Sequence, residues 1–146
     1  MIQINQNQYF GLETISNTHP KIKLPFNHNV NRFFMYFQNK YDFSIYTNTQ
    51  QFGTIKFIAN NQTILEYDYD TLLYNNSKSI LGYELPNGIF EIKWNTFIHK
   101  NLSMIDNFSI QIDELFVPTD VVFGICAENI NWLKYFNNCC SLCISS

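Results

Sequence analysis

The segment from Lys21 to Gln38 constrains this chain more than any other part of it. It runs Lys21-Ile-Lys-Leu-Pro-Phe26, then a polar corner from Asn27 to Asn31, then Phe33-Phe-Met-Tyr-Phe37 and a closing glutamine. Ile22, Leu24 and Phe26 recur at every second position, the period of a strand. The later run is apolar at every position. In an antiparallel sheet, an unbroken apolar run means that both faces of the strand are covered. A short strand therefore turns into a second one buried on both sides. No residue set in the segment suits catalysis, and the pattern points to a scaffold that packs against something else.

The doubly apolar pattern recurs once, from Val121 to Ala127. Elsewhere the period is two with one wet face. Phe90, Ile92 and Trp94 alternate with Glu91, Lys93 and Asn95; Phe108, Ile110 and Ile112 alternate with Ser109, Gln111 and Asp113. Leu65, Tyr67 and Tyr69 face one way, and Glu66 and Asp68 the other. Thr54 to Ala59 and Thr63 to Tyr69 flank Asn60-Asn61-Gln62, a hairpin turn, because asparagine tolerates left-handed backbone. Pro86-Asn87-Gly88 is a second turn, with proline setting φ and glycine accepting φ > 0. Pro118-Thr119-Asp120 separates the last two long strands. One short helix fits Tyr69 to Asn76, with Asp70 as N-cap and Leu72 and Leu73 as its apolar residues. About eight strands with turns roughly every ten residues predict an all-β antiparallel sandwich or barrel. Residues 1–18 read as a polar N-terminal arm and 19–146 as one domain.

Composition narrows the function. Hydrophobic residues make up 46% and aromatic residues 17%, enough for a packed core at 146 residues. Charged residues are only 14%, about half the usual share. The net charge is −3 and the nine Lys and Arg are dispersed, which argues against nucleic-acid binding through phosphate neutralisation. No apolar run approaches the ~18–20 residues of a membrane span. The first residues lack the basic and apolar regions of a secretory signal, so the thiols are expected to be reduced. Cys140-x-x-Cys143 has a redox or metal spacing, but no second Cys/His pair stands at a zinc-finger distance. Cys126, Cys139, Cys140 and Cys143 are read as buried strand cysteines. Glu66, Asp68 and Asp70 could offer oxygen ligands to calcium; a solvated strand face running into a helix cap accounts for them more simply. His28 sits in a corner and His99 in a loop without an evident partner. No phosphate loop or nucleophile motif occurs, so no catalytic residue, metal site or cofactor is assigned. The N-x-S/T sequons at Asn61, Asn75, Asn101 and Asn107 are what an Asn-rich chain produces by chance.

Three segments, in order, resemble the C-terminal jelly roll of the major capsid proteins of large nucleocytoplasmic DNA viruses. Leu24-Pro-Phe-Asn-His-Asn-Val30 with Phe33 to Gln38 is similar to the family's L-P-F-N-H-P-V-K-E-L-x-W-x-x-Q. Tyr83-Glu-Leu-Pro-Asn-Gly-Ile-Phe-Glu-Ile-Lys-Trp94 is similar to its P-S-G-x-x-N-F-S turn and strand. Val121 to Tyr135 is similar to the final V-x-V-x-A-x-x-Y-N-x-L. Phe57 to Gln62 stands where the family has L-x-x-N-G. The likeness runs from about Lys21 to Ser145. It departs at Asn29, where the family has proline, at Phe34-Met35-Tyr36, where it has tryptophan, and at Asn60-Asn61, where it has Asn-Gly.

The resemblance implies a jelly-roll sandwich and a structural virion protein, not an enzyme, made in the host cytoplasm. It implies other capsid subunits as partners and a homo-oligomer, a trimer in the family. The family carries two jelly rolls per chain and this sequence has length for one, which leaves a separated C-terminal half, a truncated copy or a single jelly-roll relative, with another chain as one source of a second jelly roll. The assembly surface is expected on the two doubly apolar strands, at Phe33, Met35, Phe37, Val122, Phe123 and Ile125. A carbohydrate-binding sandwich that stacks sugars on Trp94 or Trp132 is the alternative.

Overall fold

In a computed structural model of the protein, the residues described are 2–15, 18–26, 29–47, 50–77, 88–94, 105, 107–116, 121–136 and 139–143. They form nine strands and one helix. The strands are β1 (Ile2–Ile15), β2 (Lys21–Lys23), β3 (Val30–Asn39), β4 (Thr54–Ala59), β5 (Gln62–Asp68), β6 (Phe90–Lys93), β7 (Phe108–Asp113), β8 (Val121–Phe136) and β9 (Cys139–Cys143). The helix α1 (Tyr69–Ser77) follows β5.

The pairing is nested. β4 pairs with β5, β2 with β7, β3 with β6 and β1 with β8, all antiparallel. Cross-pairs β3–β8 and β4–β7 knit these into two sheets, ordered β1-β8-β3-β6 and β2-β7-β4-β5. One long hairpin has thus been rolled so that its pairs land alternately in two layers, which is the jelly roll. β9 adds to the distal half of β8.

Period-two side chains fill the space between the layers. Ile22, Leu24 and Phe26 are buried, as are Ile55 and Phe57 from β4 and Ile110 and Ile112 from β7. Two aromatic groups dominate. Phe33 packs against Phe26, Phe57, Trp94 and Phe108, with ring centroids 5.2–6.0 Å apart. Toward the other end, Phe52 packs against Phe37, Tyr69 and Phe90, and Phe37 meets Phe123. Such ring pairs add to the burial of their area.

The β4–β5 turn is tighter than the sequence suggests. Asn60 and Asn61 alone make it, both left-handed (φ 52° and 66°), and Gln62 already belongs to β5. Gly88 has φ 87° as its turn requires; Pro86 and Asn87 lie outside the described residues, as do Pro118, Thr119 and Asp120.

Three expectations are corrected. Residues 2–15 do not project as an arm: they pair with β8 along the edge of the first sheet. Ladder hydrogen bonds do not depend on side-chain polarity, so an edge strand can be amide-rich. The cap of α1 is Asp68, not Asp70, because Asp68 Oδ1 accepts from the Thr71 N–H at 2.7 Å. Asp70 is therefore in the first helical turn and does not continue the strand face of Glu66 and Asp68. Finally, Phe33, Met35, Phe37, Phe123 and Ile125 are all fully buried in the domain's own core. They face inward because β3 and β8 pair in matched register, Phe33 with Ala127, Met35 with Ile125 and Phe37 with Phe123. They are not a surface. Val122 points to the opposite face and is only 4% exposed.

Candidate assembly surface

Among the described residues, the large apolar side chains that stand in water are Tyr41, Phe43, Leu73, Tyr74 and Phe116. All of them belong to connections at one end of the sandwich, where β3, β5 and β7 finish and β4, β6 and β8 begin. Tyr41 and Phe43 follow β3, Leu73 and Tyr74 lie on α1, and Phe116 follows β7.

These connections are laced together. The Gly53 N–H donates to the Asp113 carbonyl at 2.9 Å, the Phe116 N–H to the Gln51 carbonyl at 2.8 Å, and the Tyr69 N–H to the Gly53 carbonyl at 3.1 Å. The turn after β3 is braced from within. Asn39 Oδ1 accepts from the Tyr41 N–H at 2.8 Å, and Asp42 Oδ1 accepts from the Ser44 N–H at 2.9 Å and the Ser44 hydroxyl at 2.7 Å. Those Ser44 donors hold the Asp42 carboxyl below the usual carboxylate range. Gln38 Nε2 donates to the Phe43 carbonyl at 3.1 Å.

Phe43 is the unusual member. It is 55% exposed and sits at φ 58°. A bulky residue with φ > 0 is an outlier, and water on its ring adds a second cost.

The outer faces of the two sheets differ. On the β2-β7-β4-β5 sheet the outward face is mainly polar, with Lys21, Lys23, Lys56, Gln111 and Asp113 beside Ile58, and Lys56 Nζ stands 3.2 Å from Asp113 Oδ2. Burial pushes the Asp113 carboxyl up, but hydrogen bonds from Gln111, Lys56 and His19 and the Lys56 charge outweigh it and leave it lowered. On the other sheet, Phe34, Tyr36 and Cys126 are half-buried on the outward side. Tyr36 lies over Gly124, where a Cβ would collide with its ring. Burial, then the Glu128 charge, pushes the Cys126 thiol up. Beside them Arg32 bridges two acids, Nη1 to Glu91 Oε1 and Nε to Glu128 Oε1, each at 3.3 Å. This is how Glu91, only 4% exposed, is tolerated next to Phe34.

Of the expected assembly residues, only Val122 lies on this outward face. Both strands are apolar on two sides, as read, but the chain itself covers much of the second side. The exposed end was missed because loop aromatics have no period. The usable signal was aromatics inside a turn-forming stretch, Tyr41-Asp-Phe-Ser44, and three bulky residues in a row on a short helix, Leu72-Leu-Tyr74. Leu72 is fully buried, and its neighbours, turned about 100° each along the helix, cannot follow it.

Trp94 is fully buried and cannot stack a sugar; the side chain of Trp132 lies outside the described residues. So do His28, His99, Asn101 and the side chains of Cys139, Cys140 and Cys143. Among the described residues no group of three or more His, Cys, Asp and Glu is placed to hold a metal, and no helix is long and apolar enough to cross a membrane.

No protein-family model matches the sequence, and no curated protein matches it. Solved structures do. VP54 of PBCV-1, fitted into a cryo-EM reconstruction of the virophage Sputnik, aligns with TM-score 0.75 at 16% identity, over 99% of this chain and 51% of its own. A quasi-atomic model of the PBCV-1 virus capsid aligns with TM-score 0.71 at 16% identity, over 99% and 51%. The major capsid protein P2 of bacteriophage PM2 aligns with TM-score 0.60 at 8% identity, over 86% and 50%. The chain spans about half the length of each. Its fold is the jelly roll found in these viral capsid proteins.

Proposed function

We propose that this protein is a structural capsid subunit of jelly-roll type, working in a virion by self-assembly and not by catalysis. It meets partners through the apolar end of the sandwich. The observation that carries this is the placement of Tyr41, Phe43, Leu73, Tyr74 and Phe116 at one end, on braced connections. Apolar groups gathered at one end mark a contact surface, whereas scattered ones do not. The jelly-roll fold and the sequence likeness to the major capsid proteins of large DNA viruses support the same reading. The partners are other capsid subunits, with a second jelly roll supplied by another chain and a trimer as the closed assembly. Synthesis in the host cytoplasm accompanies this reading.

Light scattering across a wide concentration range tests it. The wild-type protein should grow into an oligomer as concentration rises. A variant with Tyr41→Ser and Phe43→Gly should stay monomeric with unchanged circular dichroism. A wild-type protein that remains a monomer throughout would overturn the proposal.

A further inference from the structure

The opposite end of the sandwich carries a recess of about 390 Å³. Lys21 and Lys23 from β2, Asn107 and Ser109 at the start of β7, and Ile58 and Asn61 from the β4–β5 hairpin line it. Lys23, Ser109 and Ile58 are cross-strand neighbours in one row. Strand alternation puts Lys21 and Lys23 on the same face, about 7 Å apart along the backbone. Backbone bonds fix the three elements to one another: the Asn60 N–H donates to the Asn107 carbonyl at 3.0 Å, and the Leu24 N–H to the Phe108 carbonyl at 2.9 Å.

The charges are uneven. Among the described residues no carboxylate lines the recess, and neither lysine has an ion-pair partner. Asp113, further along β7, is engaged by Lys56 at 3.2 Å and His19 at 3.5 Å. Two ammonium groups side by side repel each other, and an anion set between them removes that repulsion. Around them, two carboxamides and a hydroxyl offer donors and acceptors, and Ile58 offers a small apolar floor. We propose that this recess binds a saccharide bearing a sulfate or carboxylate, the anion on Lys21 and Lys23 and the sugar hydroxyls on Asn61, Asn107 and Ser109. The volume is at the small end for ligand sites. A nucleic acid fits less well, because the net charge is −3 and Lys56, the neighbouring lysine on that face, is already engaged by Asp113 at 3.2 Å.

Amide chemical shifts of the intact protein, titrated with a heparin-derived hexasaccharide, test this independently of assembly. The hexasaccharide should shift the Lys21, Lys23, Asn61 and Asn107 signals, and its desulfated counterpart should not. Affinity should fall as salt is raised. Lys21→Gln and Lys23→Gln should each weaken binding about threefold, and together about tenfold; Lys40→Gln, in a turn at the other end, should change nothing. Absence of shifts, shifts confined elsewhere, or full affinity in the double variant would overturn the site. Equal affinity for inorganic sulfate or for a single-stranded oligonucleotide would overturn its assignment to a saccharide.

Discussion

Phe43 combines two local costs, a left-handed backbone and an exposed ring, and this makes it a sensitive probe. Glycine adopts φ > 0 without strain but loses more freedom on folding. The balance favours glycine at such a position. Phe43→Gly should therefore leave the isolated domain about 0.5 kcal/mol more stable while impairing assembly. Urea midpoints at a concentration low enough to keep both proteins monomeric would check the sign. A destabilised variant would mean that the ring serves the domain's own packing. At this scale the sequence was legible wherever a side chain had one job. Ile22, Leu24, Phe26, Trp94 and Ile110 announced burial, and Asn60, Asn61 and Gly88 announced turns. Phe33, Met35 and Phe37 were misassigned to a surface because an apolar run does not say which of its two faces meets the core.

Among the elements, β3 shows why a doubly apolar strand need not be a docking strand. Its outward side carries Arg32 as well as Phe34 and Tyr36, and Arg32 neutralises Glu91 on β6 and Glu128 on β8. Removing one partner of a buried pair leaves the other charge uncompensated. Arg32→Met should destabilise the fold by about 3 kcal/mol, and Arg32→Met combined with Glu91→Leu should recover most of that loss. Thermal or urea unfolding of the single and double variants would show it; equal stability of wild type and Arg32→Met would refute the role given to the bridge. Pairing and register could not be read from β1, whose Asn and Gln residues carry no apolar stripe. Its antiparallel pairing with β8 emerges only in the fold, where Gln8 Nε2 also donates to Asn129 Oδ1 at 3.3 Å. The helix begins at Tyr69, as its sequence indicates, but the cap falls two residues before the expected one, because Asp68 and Asp70 are equally good caps in sequence. Only the Asp68–Thr71 bond separates them.

The whole molecule has two unlike ends, with exposed aromatics at one and a lysine-lined recess at the other. Its response to acid follows from carboxylates at both the apolar end and the sheet beside it. Asp42, Asp68 and Asp113 all titrate below the ordinary carboxylate range. Groups lowered in the folded state contribute stability above the unfolded pKa, and that stability is lost as pH falls through the folded value. Stability contributed by these groups should hold from pH 7 to 5 and decline below about pH 4, as urea midpoints at pH 7, 5 and 3 would reveal. Asp42→Asn and Asp68→Asn should blunt the acid decline. The two-layer architecture and the jelly-roll likeness were both legible in the chain, because alternation and turn chemistry are written residue by residue. The apolar end was not, since it arises only when connections distant in sequence are gathered by the roll. Hydrogen exchange, compared between dilute and concentrated protein, tests that end most directly. Concentration should slow exchange in residues 39–44, 69–75 and 114–116 and leave Asn61 and Asn107 unchanged; protection centred on Asn61 and Asn107, or none anywhere, would contradict the account.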